Sequence, residues 1–196
     1  MIDKLLEQIG EDKHQNPATT SDKFKRDLWQ FYENKYGTEY STCIEYGTHK
    51  GQTTRILSYL FTTIYTCNLP NQFDKAKQLN DDRDNINYIG IDLYRSDVFS
   101  PLCDDVIDLF FIDAVHTHEA VLSDFTRSIS HKCADTCYFV FDDYGLIPEV
   151  KRAVDDLIWV GKIELVTGIG HEPGYDFKNG RKLLDWEGVI CKLIKD

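Results

Sequence analysis

With 196 residues, 42% hydrophobic and 28% charged, the chain has the size and balance of one folded domain with a substantial core, which excludes a disordered protein. A net charge of −11 excludes a nonspecific nucleic-acid binder, since neutralising phosphates takes clustered Lys and Arg, but it leaves room for a small anionic substrate in a local basic pocket. No apolar run approaches the ~20 residues that span a bilayer, and M-I-D-K-L-L-E-Q-I-G lacks the regions of a signal peptide, so a cytoplasmic protein with no membrane partner is expected.

In chain order, Ile2, Leu5, Leu6 and Ile9 recur at helical spacing. A second helix starts near Ser21, with Ser21 or Thr20 as its cap, carries Phe24, Leu28, Phe31 and Tyr32 on one face, and ends at Gly37. From residue 42 strands and helices alternate. Strands are expected over 42–47, 63–69, 86–92, 106–114 and 137–145. Helices are expected over 51–61, 73–83, 118–129 and 148–159, the last opening with a proline, and a short helix or turn over 96–102. The tail breaks this rhythm with two strands, 162–170 and 188–195, joined by a polar, glycine-rich connection.

Continuous apolar strands between helices imply an α/β fold: a mostly parallel, Rossmann-like sheet with helices on both faces and an antiparallel C-terminal strand pair. One domain over 1–196 is expected, with the helices of 1–40 as a candidate lid on a core of 41–196; a homo-oligomer stays open. The six cysteines are scattered, and Cys133 and Cys137 have no second pair to complete a zinc site. Cys43, Cys67 and Cys191 lie in apolar runs and read as buried free thiols.

The turn I-E-Y-G-T-H-K-G-Q-T-T joins the first alternating strand to its helix. Gly47 and Gly51 allow a sharp turn and close approach of a ligand, and the amides opening the next helix would face it. The spacing is neither a phosphate-cradling loop nor a clean G-x-G-x-x-G, and by itself a purely geometric role for the glycines is equally open. Farther on, D-L-F-F-I-D-A-V-H-T-H and C-Y-F-V-F-D-D-Y-G are apolar strands ending in Asp113 and in Asp142 and Asp143, with His116 and His118 just beyond the first. If the two strands are neighbours, three carboxylates meet at one rim, where repulsion raises their pKa values unless a cation is present. Such an oxygen-rich cluster suits Mg²⁺ or Mn²⁺.

Together these runs resemble class I S-adenosylmethionine-dependent methyltransferases over residues 40 to 160, and in particular the group of macrolide-sugar O-methyltransferases and cephalosporin hydroxylase-like proteins. The resemblance implies that Glu45, Gly47, Thr48 and Gly51 surround the methionine end and ribose of S-adenosylmethionine. His49 is a further contact candidate. Asn68 stands where the family usually has an acid for the ribose hydroxyls, with Gln72 or Asp74 as substitute acceptors. Gly90, Ile91 and Asp92 match the segment that meets the adenine. Asp113, Asp142 and Asp143 would be metal ligands, Asp113 also touching the cofactor, and His116 the general base, while His118 reads as a solvated or capping residue.

The implied activity is O-methylation of a sugar or other small diol-like acceptor, a small molecule or glycan and not a nucleic acid. His171, Tyr175, Asp176 and Trp186 of the tail connection, and Tyr144, are candidates to line the acceptor site. A nicotinamide-dependent oxidoreductase would want G-x-G-x-x-G and an acid after the second strand, and both are missing. A noncatalytic binding module is the other alternative.

Overall fold

The computed structural model describes residues 1–10, 19–33, 41–95, 101–177 and 180–195; the expected helix end at Gly37 and residues 96–100 of the expected short helix or turn lie outside these.

Every residue of β1 (Thr42–Tyr46) is buried, with Cys43 in one apolar core and Ile44 and Tyr46 in another. Successive side chains of a strand point to opposite faces, so a sheet covered on both faces needs apolar residues without alternation. β4 (Val106–Ile112) repeats this, with Leu109 and Phe111 in the first core and Ile107, Phe110 and Ile112 in the second.

The sheet has seven strands in the order β3–β2–β1–β4–β5–β7–β6, where β2 is Thr63–Asn68, β3 Ile86–Gly90, β5 Lys132–Phe141, β6 Ile163–Ile169 and β7 Gly188–Leu193. β1 to β5 pair in parallel, while β7 runs antiparallel to both β5 and β6. The expected antiparallel C-terminal pair is therefore present.

The first core lies under α1 (Ile2–Ile9), α2 (Asp22–Glu33) and α3 (Gln52–Leu60), through Leu5, Leu6, Ile9, Phe24, Leu28 and Leu57. α1 and α2 thus pack as part of one layer over the sheet. Ser21 caps α2, its hydroxyl oxygen accepting the Phe24 N–H at 3.0 Å. That hydroxyl also donates to the buried carboxylate of Glu187 at 2.6 Å, which ties the cap to the residue before β7. α4 (Asp74–Leu79) packs beside α3. The second core lies under α5 (His118–Ser128) and α6 (Pro148–Trp159), which contribute Val121, Phe125, Val150, Ala153, Val154 and Leu157. All six cysteines are free thiols. Among the described residues no helix is long and apolar enough to cross a membrane.

Register decides what meets at the carboxyl rim. Tyr46 pairs with Cys67 on one side and Ile112 on the other, and Ile112 pairs with Phe141. The next residues along these strands are Asn68, Gly47, Asp113 and Asp142, so the four form a row across the sheet. The chain leaves β1 for β2 on one side and later returns to β4 on the other, which makes this rim the topological switch point where open α/β sheets bind ligands.

Candidate active site

A cleft of 610 Å³ opens over that row, within the range of small-molecule sites. Gly47, His49, Asn68, Asp92, Asp113, His116, Asp142 and Asp143 all line it. Thr48, Gly51 and Glu45 do not. All three are buried.

Gly47 has φ +102°, and a Cβ there would sit 2.0 Å from the carbonyl oxygen of Asp113. The backbone of β4's end presses on this turn, so the glycine is required by packing within the protein. Gly51, at φ +78°, would place a Cβ 2.8 Å from Ala76 of α4. The amides of Gly47 and Thr48 donate to the Cys67 carbonyl at 3.0 and 3.2 Å, and Thr48 Oγ1 lies 2.6 Å from Thr66 Oγ1. Under the turn, fully buried Glu45 accepts hydrogen bonds at Oε2 from Thr54 and Thr66, while its Oε1 makes none. Burial pushes its carboxyl up to about 8, against the two threonine hydrogen bonds and with a further push from the charge of Asp113.

His116 Nε2 lies 3.1 Å from Asp113 Oδ1 and 3.8 Å from Asp143 Oδ2. Burial disfavours its charge, but the hydrogen bond and charge of Asp113, with the charges of Asp143 and Asp142, outweigh burial and raise the imidazole to about 9. Asp142 and Asp143 are both buried, and Asp143 takes φ +56°, the left-handed region rare for a residue with a side chain. Among the described residues no three His, Cys, Asp or Glu side chains are arranged to hold a metal ion. Asp113, Asp142 and Asp143 share one rim of the cleft, and Asp113 directs Oδ1 to His116. His118 lies 2.8 Å from Asp156 of α6, while Thr117 caps α5 by accepting the Ala120 N–H.

The opposite end of the cleft comes from the segments after β2 and β3. Asn68 Oδ1 accepts the Leu69 N–H at 2.9 Å, and Asp92 Oδ1 accepts the Tyr94 N–H at 3.1 Å. Gln72 lines the cleft, whereas Asp74 lines only an adjoining hollow of 330 Å³ that also includes His49, Asn68 and Gln72. Leu69, Ile91, Leu93, Tyr94, Val115 and Ile147 complete an apolar and aromatic wall that no sequence motif singled out, apart from Ile91.

From the tail connection only Arg181 reaches the cleft among the described residues. The four residues expected there are engaged elsewhere. His171 and Tyr175 stack on each other at 3.6 Å, Asp176 pairs with Lys182 across a β-bridge, and Trp186 packs on Gly168. Tyr144 is also withdrawn: its hydroxyl donates to Asp155 at 2.7 Å and accepts from Lys151 at 2.7 Å, with the Lys151 ammonium over its ring. Arg181 followed no pattern that spacing or periodicity could have flagged.

Comparison with known proteins agrees with this fold. A family described as a methyltransferase domain matches residues 44–144, which run from β1 to just past Asp143. No curated protein sequence matches the chain. The fold is similar to that of the O-methyltransferase NovP, at a TM-score of 0.65 and 14% identity over 89% of this chain and 81% of that one. It is also similar to SAH-bound PaMTH1, a methyltransferase of Podospora anserina, at 0.67 and 12% over 99% and 88%. Fibrillarin of Aeropyrum pernix, in complex with S-adenosyl-L-methionine, gives 0.52 and 16% over 80% and 67%.

Proposed function

This chain belongs to the methyltransferase-domain family of the class I, S-adenosylmethionine-dependent fold, and on that premise we propose that it methylates a hydroxyl of a sugar or other small diol-like acceptor. The observation that carries the reading is the His116–Asp113 contact of 3.1 Å inside the cleft at the switch point.

The residues present fit the cofactor. A cationic sulfonium and ammonium suit a cleft lined by Asp92, Asp113, Asp142 and Asp143, with Arg181 its one Lys or Arg among the described residues. Asn68 and Gln72 offer amide groups for ribose hydroxyls at the β2 end, and Ile91, Asp92 and Leu93 offer an apolar and acidic wall for adenine. S-adenosylmethionine supplies an electrophilic methyl group when bound. The protein's task is then to place a hydroxyl in line with it and to remove the hydroxyl proton.

His116 is the group that takes this proton. Its Nε2 faces Asp113, which leaves Nδ1 to accept, and Asp113 stabilises the imidazolium that results. A neutral hydroxyl needs such a base far more than an amine does, and NovP, described as an O-methyltransferase, supports the same acceptor type. This reading assigns the proton transfer to His116, and Asp113, Asp142 and Asp143 are the residues that would hold Mg²⁺ or Mn²⁺ in the same cleft.

The test is transfer of a labelled methyl group from S-adenosylmethionine to a panel of sugars and catechols, with and without excess chelator. Transfer to a hydroxyl that survives chelation is expected. Activity lost to chelator and restored by Mg²⁺ would move the role of Asp113, Asp142 and Asp143 to metal binding. Transfer to nitrogen or carbon acceptors alone would overturn the reading.

A further inference from the structure

Asp124 and Arg127, three residues apart on α5, are both buried and both reach the loop after β3. Arg127 Nη2 donates to the Leu93 carbonyl at 2.6 Å, and Asp124 Oδ2 accepts the Tyr94 hydroxyl at 2.9 Å. The Tyr94 oxygen in turn accepts the Val115 N–H at 3.2 Å. Val115 stands immediately before His116. One phenol therefore bridges two loops that line the cleft, the one after β3 and the one after β4, and α5 holds it from behind.

We propose that Tyr94 is a positioning residue, whose hydroxyl, held by Asp124, anchors the Val115 amide and so sets the place of His116. A phenol has one proton to donate and lone pairs to accept with, and both are used here. The donated bond ends on a fully buried carboxylate that burial raises to about 7. At the alkaline pH where a neutral His116 can accept a proton it is ionised, and a bond to an ionised acceptor is roughly twice as strong as a neutral one. The accepted bond meets an exposed amide, where water can replace the phenol but cannot fix the loop. Because the loop after β3 also forms the wall proposed for adenine, the same phenol links the cofactor's wall to the base. This inference rests on His116 being the base. A misplacement of only ~1 Å can cost about a hundredfold in rate, so a lost anchor shows in turnover.

The experiment compares wild type with Tyr94→Phe, which keeps the ring and deletes the hydroxyl. Faster deuterium exchange at the Val115 amide is expected, with kcat down by between about tenfold and a hundredfold. Affinity for S-adenosylhomocysteine should stay within about threefold of wild type, under half of one tenfold step in free energy. Asp124→Asn keeps an acceptor for the phenol but loses the charge that strengthens the bond, so it should speed Val115 exchange and lower kcat by less than Tyr94→Phe does. Wild-type exchange and kcat in a folded Asp124→Asn protein would also count against the proposal, a readout that stands even where Tyr94→Phe fails to fold. Unchanged exchange and kcat in Tyr94→Phe would overturn the proposal. So would a fall in cofactor affinity as large as the fall in kcat, which would make Tyr94 a cofactor contact only. A His116→Ala enzyme with wild-type turnover would remove the base reading itself, while Val115 exchange would still report on the Tyr94 bond.

Discussion

His116 Nε2 and Asp113 Oδ1 lie 3.1 Å apart, three residues from each other at the point where β4 ends. This contact gives the imidazole a fixed orientation, and with Asp143 and Asp142 it holds the proton up to a pH of about 9.

The activity should therefore climb with pH. Only the neutral imidazole can accept a proton, so kcat/KM should rise along a limb with a midpoint near 9. Asp113→Asn removes the largest raising influence and should move that limb toward lower pH while lowering the plateau. His116→Ala should slow turnover by roughly 10²–10⁴-fold, the usual contribution of a positioned base. The same shift has a stability consequence. The folded value lies above the ordinary 6.5, so its contribution is complete below 6.5 and lost as pH rises through about 9. A flat pH–rate profile from 6 to 9.5 would rule out His116 as the base.

Gly47→Ala should damage both folding and cofactor binding. Its Cβ would meet the Asp113 carbonyl at 2.0 Å, and φ +102° already disfavours any side chain. Strain of this kind costs on the order of 1–3 kcal/mol before the clash is relieved by shifting β4's end. Since Asp113 is the residue displaced, a folded Gly47→Ala protein should also lose turnover. Thermal unfolding and calorimetry with S-adenosylhomocysteine check this. Wild-type behaviour in both would contradict the packing seen here.

Glu45→Gln should stabilise the protein, and more so in mild alkali. The folded carboxyl titrates near 8 against an ordinary 4.5, chiefly because it is buried. The protonated form is thus favoured by folding. Its stabilising contribution is complete below 4.5 and disappears as pH rises through about 8. A glutamine keeps an acceptor for Thr54 and Thr66 and has no charge to bury. The gap in melting temperature between variant and wild type should widen between pH 5 and pH 8.5. A gap that narrows would mean that the ionised Glu45 is stabilised by a group other than these threonines.

Asn68→Ala should weaken S-adenosylhomocysteine by about 1–3 kcal/mol, the cost of leaving a buried polar partner unpaired. Asn68→Asp retains the acceptor for the Leu69 N–H and should bind within a few-fold of wild type. Unchanged affinity in Asn68→Ala would move ribose recognition to Gln72, which lines the same stretch of cleft.

Much of the fold is legible in local sequence because local physics sets it. The run D-L-F-F-I-D reads as a strand covered on both faces, because it is a short, unbroken apolar run bounded by acids, within strand length and without the spacing of a one-sided helix. Ser21 is readable as a cap because its hydroxyl sits three residues before the Phe24 N–H it accepts. Asp113 and the Asp142–Asp143 pair are readable as strand-end acids for the same reason. The run of apolar residues stops there and the chain emerges at a rim. His116 follows three residues after Asp113, close enough for contact without help from the rest of the fold.

Tertiary structure decided everything that depends on which strand lies beside which. The row Asn68, Gly47, Asp113 and Asp142 exists because Tyr46, Cys67, Ile112 and Phe141 share a register, and hydrogen bonds between strands far apart in the chain set that register. The glycine at 47 shows the same division. Sequence marks a turn that only glycine tolerates, but the fold supplies the Asp113 carbonyl that makes it obligatory. Selection among the tail residues also belongs to the fold. His171, Tyr175, Asp176 and Trp186 looked suited to an acceptor, yet each found a nearer partner, and it is Arg181 that lines the cleft. Tyr94 joins Asp124 and Val115 across separations of 30 and 21 residues, and only packing α5 against the sheet brings the three together.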